Sequence, residues 1–150
     1  MKKAIFEAVV AASIVLLAIF VSGCSNTTPQ IELSTNYFDL GDINPAEGKR
    51  TETFFVKNIG KAPLEIFSVS TSCGCTEAEV ESQQIMPGQQ TKLTVTYDPS
   101  VHPGLVGELK RVVYIQSNDP LQEEIELELR GNILQVQEGQ IQEGEKNEEG

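Results

Sequence analysis

Between residues 31 and 133, apolar and polar side chains repeatedly alternate with the two-residue period of β-strands. From Lys92 to Tyr97, for example, the apolar Leu93 and Val95 alternate with threonines. Alternation of this kind predicts strands with one buried face and one face in water. An opening strand pair is expected at 31–40, with a kink at 34–36, and further strands are expected at 51–58, 63–70, 77–81, 92–97, 109–116 and 124–130.

Turn-forming residues separate these segments, and outside the N-terminus no segment shows a helical period. About seven short strands of this kind predict an all-β fold, an antiparallel β-sandwich. Roughly a hundred residues are enough for one such core, so a single domain is expected over residues 31–134. The turn signals are Gly41-Asp42, Asn58-Ile59-Gly60-Lys61, Met86-Pro87-Gly88 and Ser117-Asn118-Asp119-Pro120.

The strand at 63–70 has an irregular pattern. Leu64 and Ile66 occupy one phase, whereas Phe67 and Val69 occupy the other. A slip of one residue predicts a β-bulge or a local twist. This strand leads directly into Ser72-Cys73-Gly74-Cys75-Thr76, which is the candidate site of chemistry in the chain.

The N-terminus has the composition of an export signal. Two lysines precede an apolar run of 14 residues, 8–21, which is shorter than the roughly 20 residues that span a bilayer as a helix. Val21-Ser22-Gly23-Cys24 resembles a bacterial lipobox, so we expect residues 1–23 to be a lipoprotein signal peptide and Cys24 to be lipidated. The alternatives are an ordinary signal peptide with a chance cysteine, or an uncleaved anchor helix.

Polar segments flank the predicted domain. Residues 24–30 are expected to form a short tether, and residues 135–150, with five glutamates and one lysine, a disordered acidic tail. Together with the lipobox they predict an exported protein of the cell envelope, anchored to the membrane by lipid.

The charge of the chain excludes some classes of partner. The chain has 11 basic and 22 acidic residues, and loss of Lys2, Lys3 and Glu7 with the signal would change the net charge from −11 to −12. Nucleic acid and anionic headgroups require a basic patch, so neither is an expected partner. An unidentified protein of the cell envelope is expected instead.

Several short motifs follow one another along the chain: Phe38-Asp39-Leu40-Gly41-Asp42-Ile43, Asn58-Ile59-Gly60, Pro63-Leu64, Ser72-Cys73-Gly74-Cys75-Thr76, Pro87-Gly88, Ser117-Asn118-Asp119-Pro120 and Gly131. In this order they resemble the motifs of a known family, the secreted immunoglobulin-like proteins catalogued as domain of unknown function 1573. The resemblance covers about residues 31–133 and implies an immunoglobulin-like sandwich, related to the ASH and major-sperm-protein-like domains, with no established activity.

Three states are open for Cys73 and Cys75. One is a disulfide across Gly74, where glycine is expected because a small ring demands unusual backbone dihedrals. Closing so short a loop stabilises the fold by only ~1.6 kcal/mol before strain is subtracted, so the bond would contribute little to stability. A strained, exposed disulfide is easily reduced, which is compatible with a redox role. The second is a Cu(I) site formed by the two thiolates. In the third the pair only shapes a corner, with the Ser72 and Thr76 hydroxyls bonded to local backbone.

Other chemistry finds little support in the sequence. Structural zinc needs four ligands, and after Cys24 the chain offers two cysteines. The single histidine, His102, is expected to be an exposed loop residue rather than a ligand. No cofactor is predicted, and no nucleophile can be paired with a base, so the chain is not expected to be an enzyme.

The resulting functional hypothesis is a membrane-tethered, extracytoplasmic immunoglobulin-like module that binds a protein or supports an envelope assembly. The alternative is a thiol-redox or Cu(I)-handling protein that acts through Cys73 and Cys75.

Overall fold

The computed structural model describes residues 27–136, which form two facing β-sheets. The predicted all-β sandwich is therefore confirmed. The strands are β1 (Ile31–Leu33), β2 (Tyr37–Ile43), β3 (Arg50–Asn58), β4 (Leu64–Thr71), β5 (Thr76–Val80), β6 (Gln84–Ile85), β7 (Gln90–Tyr97), β8 (Gly107–Ser117) and β9 (Glu124–Ile133).

The strands divide into a four-stranded sheet, in the order β1-β3-β7-β5, and a five-stranded sheet, in the order β2-β9-β8-β4-β6. The chain changes sheets between β1 and β2, at the kink expected around residues 34–36. The bulge expected in β4 is also present, because its register with β8 shifts between Ile66 and Ser68.

The structure differs from the predicted sandwich in two details. The described residues contain nine strands rather than about seven: the expected opening pair forms two strands that lie in different sheets, and β6, with two residues, is too short to show alternation. The sandwich is also not wholly antiparallel, since β2 runs parallel to β9. Alternation along one strand carries no information about the direction of a partner about 90 residues away.

The core lies between the two sheets and consists of the apolar side chains that the alternation pattern assigns to the buried faces. Phe54 of β3 contacts Phe38 of β2 edge to face, with ring centroids 5.3 Å apart. Such aromatic pairs stabilise a core beyond the area that they bury. Other members are Val56, Leu64, Ile66, Leu93, Val95, Tyr97, Leu109, Val113, Ile115, Leu127 and Leu129.

Two crossings between the sheets lie side by side at one end of the sandwich. The turn 72–75 carries the chain from β4 to β5, and the loop 98–106 carries it from β7 to β8. Thr76 pairs with Tyr97, and the Asp98 N–H donates to the Cys75 carbonyl at 2.8 Å. This end of the molecule therefore places the two cysteines beside a loop from a distant part of the sequence.

Several sequence predictions fall on residues that the structure does not describe. The signal peptide (1–23), Cys24 and the acidic tail beyond residue 136 lie outside the described residues, as does the tether before residue 27. Within residues 27–136, no helix has the length and hydrophobicity needed to cross a membrane.

The Cys73–Cys75 turn as the candidate functional site

The turn that carries the cysteines is bonded to the neighbouring strand β8. The Ser72 N–H donates to the Val112 carbonyl, and the Ser72 hydroxyl oxygen accepts from the Val112 N–H, both at 2.9 Å. The Thr71 hydroxyl lies 3.0 Å from the Cys73 carbonyl oxygen and 2.8 Å from that of Thr76. These bonds hold both ends of the turn.

The hydroxyl contacts differ from the expectation for a purely structural corner. Thr71, not Ser72 or Thr76, bonds the local backbone, whereas Ser72 reaches across to β8. The Thr76 hydroxyl lies 3.8 Å from the Cys75 sulfur. Thr71 was missed because it is the last residue of β4, and nothing in its sequence position distinguishes it from other strand threonines.

The two cysteine sulfurs lie at disulfide distance, and the Cα atoms are 5.2 Å apart, within the usual range for a cystine. Cys75 is 1% exposed, whereas Cys73 is half-buried. The Cys75 N–H lies 3.1 Å from the Cys73 sulfur. Only Cys73 is therefore accessible to a reagent from solution.

The expected conformational role of Gly74 is not observed. Its φ lies outside the left-handed region, and a Cβ built there would meet no atom within 4 Å. The backbone of the turn would therefore accept a side chain, and the space in front of Gly74 is open.

His102 lies against the cysteine pair, although it is 29 residues from Cys73 in sequence. Its Nε2 is 3.4 Å from the Cys73 sulfur. The prediction that His102 is exposed is confirmed, but the structure does not place it away from the site. No sequence signal indicated this contact, because it depends on the path of the loop 98–106.

Asp98 organises the loop that carries His102. Its Oδ1 accepts from the Ser100 N–H at 2.9 Å and from the Ser100 hydroxyl at 2.5 Å, and its Oδ2 lies 3.2 Å from the Lys49 ammonium. The bonds from Ser100, with a smaller contribution from Lys49, lower the pKa of Asp98 below its ordinary value. Asp98 is therefore ionised in the folded protein at neutral pH.

Arg111 of β8 supplies a positive charge on the other side of the pair. Its Nε–H donates to the Cys75 sulfur at 3.0 Å. The same guanidinium opposes the effect of burial, which raises the pKa of Tyr97. Sequence reasoning missed Arg111, although a charged residue beside the apolar run Val112-Val113 was a visible irregularity.

This arrangement combines two sulfurs, an imidazole and a guanidinium. When the S–S bond breaks, Arg111 can stabilise a thiolate at Cys75, and His102 can exchange a proton with Cys73. The turn therefore has the groups that thiol chemistry uses, which the sequence alone did not assemble.

An apolar concavity lies beside His102, between the loop 98–106 and the end of β9. It encloses about 660 Å³. Four of its side chains, Leu105, Val106, Leu134 and Val136, are exposed by 39 to 52%. Among residues 27–136, no Asp, Glu, Lys or Arg lines it, although the chain carries a net charge of −11.

The sequence matches a family described as "Protein of unknown function (DUF1573)" over residues 31–133. No curated protein matches the chain. The family match therefore covers the same residues as the strands of the sandwich.

Solved structures share this fold at low sequence identity. A protein of unknown function from Porphyromonas gingivalis W83 aligns with a TM-score of 0.64 at 24% identity, over 75% of this chain and 50% of that one. The ASH/PapD-like domain 7 of human CEP192 aligns with a TM-score of 0.58 at 9% identity, over 77% and 93%. The secreted serine protease VesC from Vibrio cholerae aligns with a TM-score of 0.52 at 13% identity, over 75% and 24%.

These likenesses establish the immunoglobulin-like, PapD-like sandwich and nothing beyond the fold. The chain spans about half the length of the Porphyromonas protein and about a quarter of VesC. The same architecture therefore occurs as one part of larger proteins.

Proposed function

We propose that this chain, which belongs to the DUF1573 family of proteins of unknown function, is a membrane-tethered extracytoplasmic module that binds a protein partner in the cell envelope. Lipidation at Cys24 would hold the sandwich at the membrane, and residues 25–30 would separate it from the lipid surface. The proposal makes the chain a binding protein rather than an enzyme.

The apolar concavity is the observation that carries the binding proposal. Its four exposed apolar side chains lie together at one end of a strongly acidic molecule, and the part of its lining that the structure describes contains no Asp, Glu, Lys or Arg. Contiguous exposed apolar surface in a soluble domain marks an interaction site. A described lining that is mainly apolar and holds no Asp, Glu, Lys or Arg favours an apolar segment of a partner protein over a charged ligand, whose desolvation it could not offset.

Site-directed photo-cross-linking in the cells that produce the full chain tests this proposal. A photoreactive residue at Val106, in the concavity, should give discrete adducts with an envelope protein. The same residue at Leu121, which is 72% exposed in the turn between β8 and β9 at the other end of the sandwich, should not. The substitution Leu105→Asp should reduce the Val106 adducts at least tenfold, because it places a charge in the apolar lining.

Equal adduct patterns at Val106 and Leu121, or Val106 adducts that persist with Leu105→Asp, would contradict binding at the concavity. The melting temperature of each variant provides the folding control, since both positions lie on the surface.

Thiol chemistry at Cys73 and Cys75 is the second candidate function. The contacts of Arg111 with Cys75 and of His102 with Cys73 favour it, because both groups stabilise sulfur in its reduced, ionised form. Exchange would begin with attack of an external thiolate on the accessible sulfur of Cys73, and Cys75 would leave as a thiolate beside Arg111.

A further inference from the structure

Three side chains with soft or intermediate ligand atoms meet at the end of the sandwich. The sulfurs of Cys73 and Cys75 and a ring nitrogen of His102 all lie within 4.8 Å of one another. Among residues 27–136, these three side chains are close enough to one another to share one metal ion. The turn after β4 supplies two ligands, and the loop before β8 supplies the third.

We propose that, in the dithiol form, Cys73, Cys75 and His102 bind one Cu(I) ion. Two thiolates and an imidazole match the preference of Cu(I) for soft ligands and a low coordination number. Zinc fits poorly, since a structural zinc site needs four ligands and this group has three. The inference does not depend on protein binding at the concavity, and it gives the second candidate function a specific ligand.

The surrounding charge fits a copper–thiolate centre. Two thiolates and one Cu(I) carry a net charge of −1, which is unfavourable in a half-buried position unless it is offset. The Arg111 Nε–H lies 3.0 Å from the Cys75 sulfur, and the Cys75 N–H lies 3.1 Å from the Cys73 sulfur. Hydrogen bonds to ligand sulfurs of this kind orient the ligands and stabilise the anionic centre.

The redox state of the pair would control binding. In the disulfide, neither sulfur is a thiolate, so the site is incomplete. Reduction by two thiols, or by a phosphine and water, breaks the S–S bond and adds two electrons and two protons to the sulfurs, while the two thiols become a disulfide or the phosphine becomes a phosphine oxide. Binding then releases the two thiol protons, and copper stays as Cu(I) throughout.

Anaerobic titration of the full-length chain with Cu(I), in detergent and against a competing Cu(I) chelator, tests the proposal. The protein is reduced with a phosphine, and its free thiols are counted before copper is added. We expect one tightly bound Cu(I) per reduced chain and none in the oxidised chain. X-ray absorption of the complex should show two sulfur ligands and one nitrogen ligand.

Variants separate the roles of the three ligands and Arg111. Cys73→Ser with Cys75→Ser should abolish binding, which also controls for the thiol of Cys24. His102→Ala should weaken binding at least tenfold and remove the nitrogen ligand from the absorption spectrum. Arg111→Gln should weaken binding about tenfold, whereas Arg111→Lys, which keeps the charge, should recover part of the loss.

Failure of the reduced wild-type chain to compete for Cu(I) would overturn the proposal, and so would unchanged affinity in the double serine variant. An unchanged affinity and nitrogen shell in His102→Ala would remove His102 as a ligand and overturn the three-ligand site. If the thiols are reduced and re-oxidised normally while copper does not bind, the exchange function survives without the metal site. Circular dichroism of each variant excludes loss of fold as the cause.

Discussion

Two buried polar side chains, Asn58 and Asp119, account for part of the motif pattern that resembles the family. Asn58 is fully buried, and its amide group donates to the carbonyls of Ala62 and Ile85 at 2.8 and 2.9 Å and accepts from the Gly60 N–H at 2.9 Å. A Cβ at Gly60 would overlap the backbone of residues 28–30. Because the φ of Gly60 is not positive, it is this close approach of the backbone that requires the glycine.

Asp119 ties three backbone amides together at the end opposite the cysteines. Its carboxylate accepts from the N–H groups of Ile31 and Leu121 at 2.9 Å each and of Gln122 at 3.3 Å, and the residue is 2% exposed. Unsatisfied buried donors cost more than a hydrogen bond contributes when it is formed.

Asp119→Ala should therefore lower the free energy of unfolding by about 2–4 kcal/mol, because the buried N–H of Ile31 and the part-buried N–H groups of Leu121 and Gln122 lose their acceptor. Chemical denaturation would measure this change in the free energy of unfolding, provided that the free energy depends on denaturant concentration with the same slope in both proteins. Glu77→Ala, on an exposed strand position, is the matched control and should change the free energy by less than about 0.5 kcal/mol. A similar small effect for Asp119→Ala would show that water replaces the carboxylate.

The loop 98–106 is the element on which the candidate site depends. It begins at the Asp98 cap, carries His102 to Cys73 and then lines the apolar concavity with Leu105 and Val106. Both proposals therefore require this loop to hold one conformation. The Asp98 carboxylate accepts from Ser100 at the start of the loop, so we expect the conformation of the loop to be sensitive to acid.

The pKa of Asp98 is lower in the folded protein than its ordinary value of 3.8. The stabilisation from the cap is therefore fully present above pH 3.8 and is lost as the pH falls through the lower folded pKa. We expect the Ser100 amide resonance in NMR spectra to titrate with a midpoint below 3.8. Asp98→Asn should abolish this titration and speed amide exchange in residues 100–105, without affecting the amides of β8.

A midpoint at or above the ordinary value would contradict the assignment of the cap.

At the scale of the whole molecule, the candidate site is defined by the tertiary structure, whereas the tether is predicted from the N-terminal sequence alone. The sandwich places the cysteine turn and the apolar concavity at the same end, where two crossings between sheets meet. The membrane anchor rests on the sequence before residue 27, and the acidic composition of the chain disfavours direct adsorption to anionic lipid.

Cys24→Ala should prevent lipidation and leave the chain either unprocessed or in the soluble fraction of the envelope. Cell fractionation and the mass of the mature N-terminus would distinguish these outcomes. Asn26→Ala, two residues away, should keep both the processing and the membrane retention of the parent. Normal processing with full membrane retention in Cys24→Ala would show that the lipid is not the anchor.

The alternation of side chains was enough to predict the β-sandwich, most strand positions and the bulge in β4, because burial of one strand face imposes a two-residue period locally. Leu93, Val95 and Tyr97 show this directly, since all three lie in the core. The cysteine motif was equally visible, because its residues are contiguous. The strand count and the parallel pairing of β2 with β9 could not be predicted from the sequence, because they depend on pairing between distant segments.

Only the tertiary structure brought His102 and Arg111 to the two sulfurs. Both residues are far from Cys73 and Cys75 in sequence, and neither shows a spacing that links it to them. His102 reaches them because the crossing from β7 to β8 runs beside the crossing from β4 to β5, and Arg111 reaches them because β8 pairs with β4. The sequence by itself determined the layers and the cysteine pair, while the packing of the two crossings and the pairing of β8 with β4 decided which charges and ligands surround that pair.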